Sequence, residues 1–193
     1  KVKFTPTAAI PMYCRGANNI RDHRHVTSLL QRITLDRFGV ISKPTLSFDE
    51  AGHTPNKNYY FILGCDERGK APQYLYPTQE MFCGEAGDLE APESVLSNLL
   101  PDKNAHIQGK EPMGALRFAP VTLAAGQSKS FIILMGITEK KDQVRKTLNK
   151  FNSLSKINQA LTATRKFWLA KSSQVELSTS EADFDNWFRW VSV

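Results

Sequence analysis

"GALRFAPVTLAAGQSKSFIILMGI" (residues 114–137) is the stretch whose reading decides the fold. Leu116, Phe118 and Val121 fall in one strand region, and Phe131 to Ile137 form the next. Between them "AAGQSK" places Gly126 where the chain must reverse. "FIILMGI" does not alternate apolar with polar, which predicts a strand covered on both faces, as in a sandwich.

Working outward, most of 1–138 has the same character. "NYYFILGCDERGKAPQYLYP" (58–77) has two aromatic runs flanking the turn "DERGK", which predicts a hairpin. "KPTLSFDE" (43–50) predicts a short strand, and a further strand is expected over 25–35. Short helical turns are expected at "TQEMFCG" (78–84) and "APESVLSNLLPD" (91–102), where Pro92 and Glu93 suit a first turn and Pro101 ends it.

At residue 139 the composition changes. The stretch 139–173 has no Gly and no Pro, and Val144, Leu148 and Phe151 share a helical face. Ile157 and Leu161 repeat the spacing, more loosely continued by Thr164 and Trp168, so two helices broken near 152–155 are expected. Residues 174–193 read as an exposed connector and a new helix, with Ser178, Thr179 or Ser180 as its N-cap. On that helix Phe184, Trp187, Phe188 and Val191 share one face, with Trp190 beside it. Each large ring gains roughly 1.5–3 kcal/mol on burial, so a partner surface outside these residues is expected.

Length and charge bound the function. The 193 residues suffice for one substantial domain plus an appendage; 41% are hydrophobic and 23% charged, ordinary for a soluble protein. No apolar run reaches the roughly 18 residues of a membrane span. The balance of 25 Lys plus Arg against 19 Asp plus Glu permits an anionic partner. Nucleic acid is not expected, because the chain shows no zinc-finger, RNP or helix-turn-helix pattern. Cys14, Cys65 and Cys83 are odd in number and far apart, which points to reduced thiols and a cytoplasmic setting, with no metal site expected. The opening "KVKFTPTAAIP" reads as the interior of a domain.

No GxSxG elbow, HExxH helix or Walker loop is present. "GEAGDLE" (84–90) reads as a turn-rich loop with its acids in water. Asp49, Glu50, Glu85, Asp88 and Glu90 are candidates for paired glycosidase carboxylates, but sequence shows no separation, and each also reads as a solvated loop residue. Tyr59, Tyr60, Tyr74, Tyr76 and Trp168 are possible sugar-stacking rings, though at strand spacing such rings usually build core. The densest polar cluster is "NNIRDHRHVTSLLQR" (18–32). His23 and His25, two apart, would share one face of a strand, with no third metal ligand indicated. Arg15, Arg21, His23, Arg24 and His25 form the candidate substrate-binding set, since guanidinium forks recognise anions and sugar hydroxyls. The competing reading is structural, with Asp22 bridging Arg21 or Arg24 to pin a loop.

Three stretches together, "FTPTAAIPMYCRGANNIRDHRHVTSLLQRI" (4–33), 114–137 and "FDNWFRWVSV" (184–193), resemble the large phosphorylases of glycoside hydrolase family 94, the cellobiose phosphorylase type. Within that family they resemble β-1,2-oligoglucan phosphorylases and the phosphorylase-like part of cyclic β-1,2-glucan synthases. The resemblance implies a mainly β fold, a galactose mutarotase-like supersandwich of antiparallel strands over 1–138. It also implies a helical linker over 139–173 and, over 174–193, a connector and the first helix of an (α/α)6 barrel. It implies phosphorolysis of a β-glucan or oligosaccharide to α-glucose 1-phosphate, with inorganic phosphate as co-substrate and no cofactor. It places the catalytic acid in the barrel, so no catalytic residue is expected here. The barrel of the same polypeptide and a homodimer are the implied partners. The alternative is a carbohydrate-binding or interaction module of a glucan synthase without phosphorylase activity.

Overall fold

The computed structural model describes residues 1–14, 24–49, 52–85 and 87–191, without the side chains of Arg24, His25, Phe48 and Asp49. Contact between Cα atoms divides the chain into two compact units, Lys1–Ser153 and Leu154–Val193.

The first unit is built on two antiparallel sheets. Strands β3 (Gln31–Asp36), β4 (Gly39–Pro44), β7 (Tyr59–Asp66) and β11 (Phe131–Thr138) form a four-stranded sheet in the order β11-β7-β4-β3. Strands β2 (Thr7–Pro11), β9 (Pro112–Arg117) and β8 (Tyr74–Thr78) form a three-stranded sheet in the order β2-β9-β8. Two ribbons complete the strands, β1 (Val2–Phe4) with β10 (Val121–Leu123) and β5 (Leu46–Asp49) with β6 (Gly52–Pro55).

The two-residue period of a strand sends alternate side chains to opposite faces, and β7 uses both. Ile62 enters a core with Ile33, Val40, Leu116 and Phe118, between the two sheets. Phe61 and Leu63 point the other way and pack with Ile41 against helix α4 (Lys141–Phe151), which contributes Val144 and Leu148. A third cluster joins Tyr76, Met113 and Ala115 of the smaller sheet to Phe82 and Cys83 of α2 (Gln79–Cys83). The sheets approach closely at Gly114, where a Cβ would stand 2.3 Å from Ile62 Cβ. The outer edge of β3 is covered by the Gln108 amide, which accepts from Ile33 N–H and donates to Ile33 C=O, both at 2.8 Å. Together with Gly109 N–H, which donates to Gln31 C=O at 3.1 Å, this amide side chain stands in for a neighbouring strand at the edge.

Several expectations hold and several are corrected. The turn "TQEMFCG" is α2, N-capped by Thr78, whose Oγ1 accepts from Met81 N–H at 3.2 Å. In 91–102 only one turn forms, α3 (Glu93–Leu96), because Asn98 takes a left-handed φ of 52°. The expected hairpin of 58–77 does not form: β7 pairs with β4 and β11, while β8 pairs with β9 in the other sheet. Its turn exists, with Asp66 Oδ1 accepting from Arg68 and Lys70 N–H and Gly69 at φ +75°, but the chain crosses between sheets there. Likewise Gly126 reverses the chain at φ +75°, yet β10 pairs with β1 and β11 with β7. β11 is covered on both faces only in its first half; Met135 and Ile137 are 68% and 63% exposed.

The strand expected over 25–35 begins only at Gln31, because Arg24–Leu29 is the short helix α1. The composition change at 139 opens the expected pair of helices, α4 and α5 (Leu154–Ser172). The second unit consists of α5 and α6 (Ala182–Val191). Thr179 precedes α6, its N–H donating to the Asp185 carboxylate and its Oγ1 accepting from Glu181 N–H. Phe184, Trp187 and Trp190 are largely exposed on α6. No described helix is long and apolar enough to cross a membrane.

Candidate functional site

The polar cluster is only partly placed. Arg15, Arg21 and His23, with Asp22, lie outside the described residues. Arg24 and His25 are placed by backbone alone, as the first two residues of α1. The expected pairing of His23 with His25 on one face of a strand lies partly outside the described residues; His25 itself is on a helix and not a strand.

The chain enters this cluster from a well-defined place. Cys14, at a left-handed φ of 56°, is buried and its thiol donates to Met12 C=O at 3.2 Å. Pro11, Met12, Tyr13 and Cys14 form one wall of an apolar groove of about 350 Å³. Tyr60 and Ile62 of β7 and Met135 and Ile137 of β11 also line it. The groove lies at the end of β11 where Met135 and Ile137 are exposed. It therefore has an apolar body, with Tyr13 partly exposed at its rim.

A second recess, about 590 Å³ and polar, is lined by Gln79, Glu80, Glu85, Lys110 and Glu111. Lys110 Nζ lies 2.6 Å from Glu80 Oε2. Of the acids singled out from sequence, Glu85 lines this recess, while Asp88 works as a turn cap, accepting from Glu90 and Ala91 N–H at 2.9 and 3.0 Å. Glu50 lies outside the described residues, and Asp49 is placed by backbone alone. Among the described residues no three His, Cys, Asp or Glu side chains converge to hold a metal ion. None of the three buried thiols is in a disulfide, and burial, then Asp66 and Asp88 respectively, pushes Cys65 and Cys83 above the ordinary thiol value.

Of the aromatic candidates, Tyr76 is fully buried and packs edge-on against Phe82 at 5.6 Å. Trp168 is exposed on α5. The residue that sequence reading missed is Arg117. It is 3% exposed, its guanidinium lies 5.0 Å over the Tyr76 ring, and no carboxylate pairs with it among the described residues. Nη1 donates to Leu99 C=O at 3.1 Å and to Asn98 Oδ1 at 3.4 Å, and Nη2 donates to Ser94 C=O. The signal was there: an arginine ends a strand, "PMGALR", whose other residues are all apolar or glycine and all buried.

Two facing antiparallel sheets with a helix on the outer face define the class, a supersandwich domain. A family model described as "Glycosyl hydrolase 94, supersandwich domain" matches residues 23–154, and the chain belongs to that family. Its matched region ends within one residue of the boundary of the first compact unit. A comparison with curated proteins finds no match.

Proposed function

We propose that this chain is the non-catalytic portion of an inverting phosphorylase of β-linked glucans or glucosides, serving as scaffold and as one wall of the substrate cleft. The match of the supersandwich family to 23–154 carries this reading. In such a reaction a carboxylic acid protonates the leaving glycosidic oxygen while phosphate attacks the opposite face, giving α-glucose 1-phosphate with inversion. The acid would come from a barrel domain of the same polypeptide. Many described carboxylates of the sandwich are occupied structurally, which supports assigning the acid elsewhere. Asp36 holds Arg145, Glu67 holds Lys129, Glu80 holds Lys110, and Asp66, Asp88 and Asp102 cap turns. Arg15, Arg21, His23, Arg24 and His25 would orient glucan hydroxyls or phosphate rather than break a bond.

The test has two arms. The 193 residues alone, given a β-glucan and inorganic phosphate, are expected to release no glucose 1-phosphate; release would overturn the division of labour. In the polypeptide joined to its barrel, Arg24→Ala is expected to raise KM for glucan or phosphate about tenfold, with Tm within about 2 °C of the parent. A fall of several degrees with unchanged kinetics would make the cluster a structural network instead.

A further inference from the structure

Between α2 and β9 the chain makes a long excursion, and connections of this length without extended secondary structure are uncommon in compact domains. Its segment 92–101 sits on the sandwich with little apolar anchorage. Leu96 and Leu100 are 71% and 58% exposed, and Val95 and Leu99 are about half exposed. The backbone bonds of its single turn close on themselves, with Val95 and Leu96 N–H donating to Pro92 C=O and Ser97 N–H to Glu93 C=O. Among the described residues, the side chains that reach it from the sheet below are Arg117 and Tyr76. The Tyr76 hydroxyl donates to Leu99 C=O at 2.6 Å, beside the three bonds from the Arg117 guanidinium.

This attachment is incomplete. Arg117 Nε and the Ser94 hydroxyl are both buried, with no hydrogen-bond partner among the described residues. A buried guanidinium held only by neutral acceptors has given up hydration that neutral acceptors do not fully replace. Opening the segment would return Arg117, Nε included, and Ser94 to water. The closed state is therefore favoured by directional bonds that water can replace, and only weakly by burial of apolar surface.

We propose that 92–101 is a strap that opens locally, without unfolding of the sandwich, and that Arg117 is its latch. Closed, the strap covers the stacked Arg117–Tyr76 pair and presents Leu96 and Leu100 outward. Open, it uncovers a guanidinium lying on an aromatic ring at the end of β9. Arg117 acts here as a positioning residue.

Residue-resolved hydrogen exchange on the full chain tests this. The amides of Leu96 and Ser97 are expected to exchange at least ~100-fold faster than that of Gly64, which donates to Phe38 C=O in the sandwich core, with little dependence on denaturant. Arg117→Lys keeps the charge but loses the fork and is expected to speed Leu96 and Ser97 by ~10-fold or more, leaving Gly64 unchanged. Tyr76→Phe removes one hydroxyl and is expected to act in the same direction by a smaller factor, which keeps the test available where the lysine variant fails to fold. Equal protection of Leu96, Ser97 and Gly64 in the parent would overturn the strap. Variants that leave the Leu96 and Ser97 rates unaltered, or speed all three amides equally, would overturn the latch.

Discussion

At the scale of single residues, the position that fixes the sandwich is Gly114. Its missing side chain lets β9 and β7 approach across the core, and an added methyl would meet Ile62 Cβ itself at 2.3 Å. Because the clash is with a Cβ, no change of rotamer at Ile62 relieves it, and the sheets must move apart. Gly114→Ala is expected to destabilise the domain by roughly 2–4 kcal/mol, read as a lower urea midpoint with an unchanged slope. Gly126→Ala is the control: its Cβ would meet nothing within 4 Å, so only the φ of +75° opposes it, at about 1 kcal/mol. A sequence reader sees three equivalent glycines in 114–137, Gly114, Gly126 and Gly136. The turn role of Gly126 was legible from its local context, whereas the packing role of Gly114 depends on a residue 52 positions away.

At the scale of elements, β7 and β11 are joined at one end by a small charged network. Lys129 Nζ lies 2.8 Å from Glu67 Oε1 and 3.6 Å from Asp66 Oδ2, and Ser130 N–H donates to Glu67 Oε2 at 3.2 Å. The Lys129 hydrogen bond, then the Ser130 N–H, hold the Glu67 carboxyl below its ordinary value of 4.5. Burial pushes Asp66 up, but the N–H groups of Lys70 and Arg68 together with Lys129 bring it below its ordinary 3.8. Both folded-state values are depressed. The stability they contribute is therefore present above the unfolded values of 4.5 and 3.8 and is lost as pH falls through the lower folded values. Lys129→Met is expected to lower the urea midpoint near neutral pH, with parent and variant converging at the acid end of a pH series. A constant gap across that series would remove the electrostatic explanation. The strands themselves were readable from their apolar runs, but their partners were not. Two successive strands with a turn between them predict a hairpin, and here both such turns carry the chain to a different sheet.

For the whole molecule, the decisive question is where the sandwich ends. A reading by composition stops at 138, where glycine and proline disappear and helix begins. The compact unit runs on to Ser153, because α4 covers the outer face of the four-stranded sheet with Val144 and Leu148. A chain of residues 1–153 is expected to melt cooperatively within a few degrees of the parent's sandwich transition. A chain of residues 1–138 leaves Ile41, Phe61 and Leu63 uncovered on one face and is expected to aggregate or bind a hydrophobic dye strongly. Cooperative folding of the shorter chain would show that α4 is dispensable to the core. The candidate site divides along the same line. The polar cluster of 15–25 stands out from composition alone, since charged side chains concentrated at one point are visible without a fold. Arg117 gains its meaning only from what the tertiary structure places over it.

By itself the sequence determined the chemistry of each segment: which stretches extend, which coil into helix, where the chain turns, and the family the whole resembles. The extended, helical and turn assignments follow from local periodicity and from the conformational limits of glycine and proline, which act over a few residues. Only the tertiary structure decided which strands pair, that α4 belongs to the sandwich, and that Arg117 is buried beneath 92–101. Each of these depends on contacts between residues far apart in the chain. Side chains of the same type satisfy many alternative partners, and only the packed arrangement selects one.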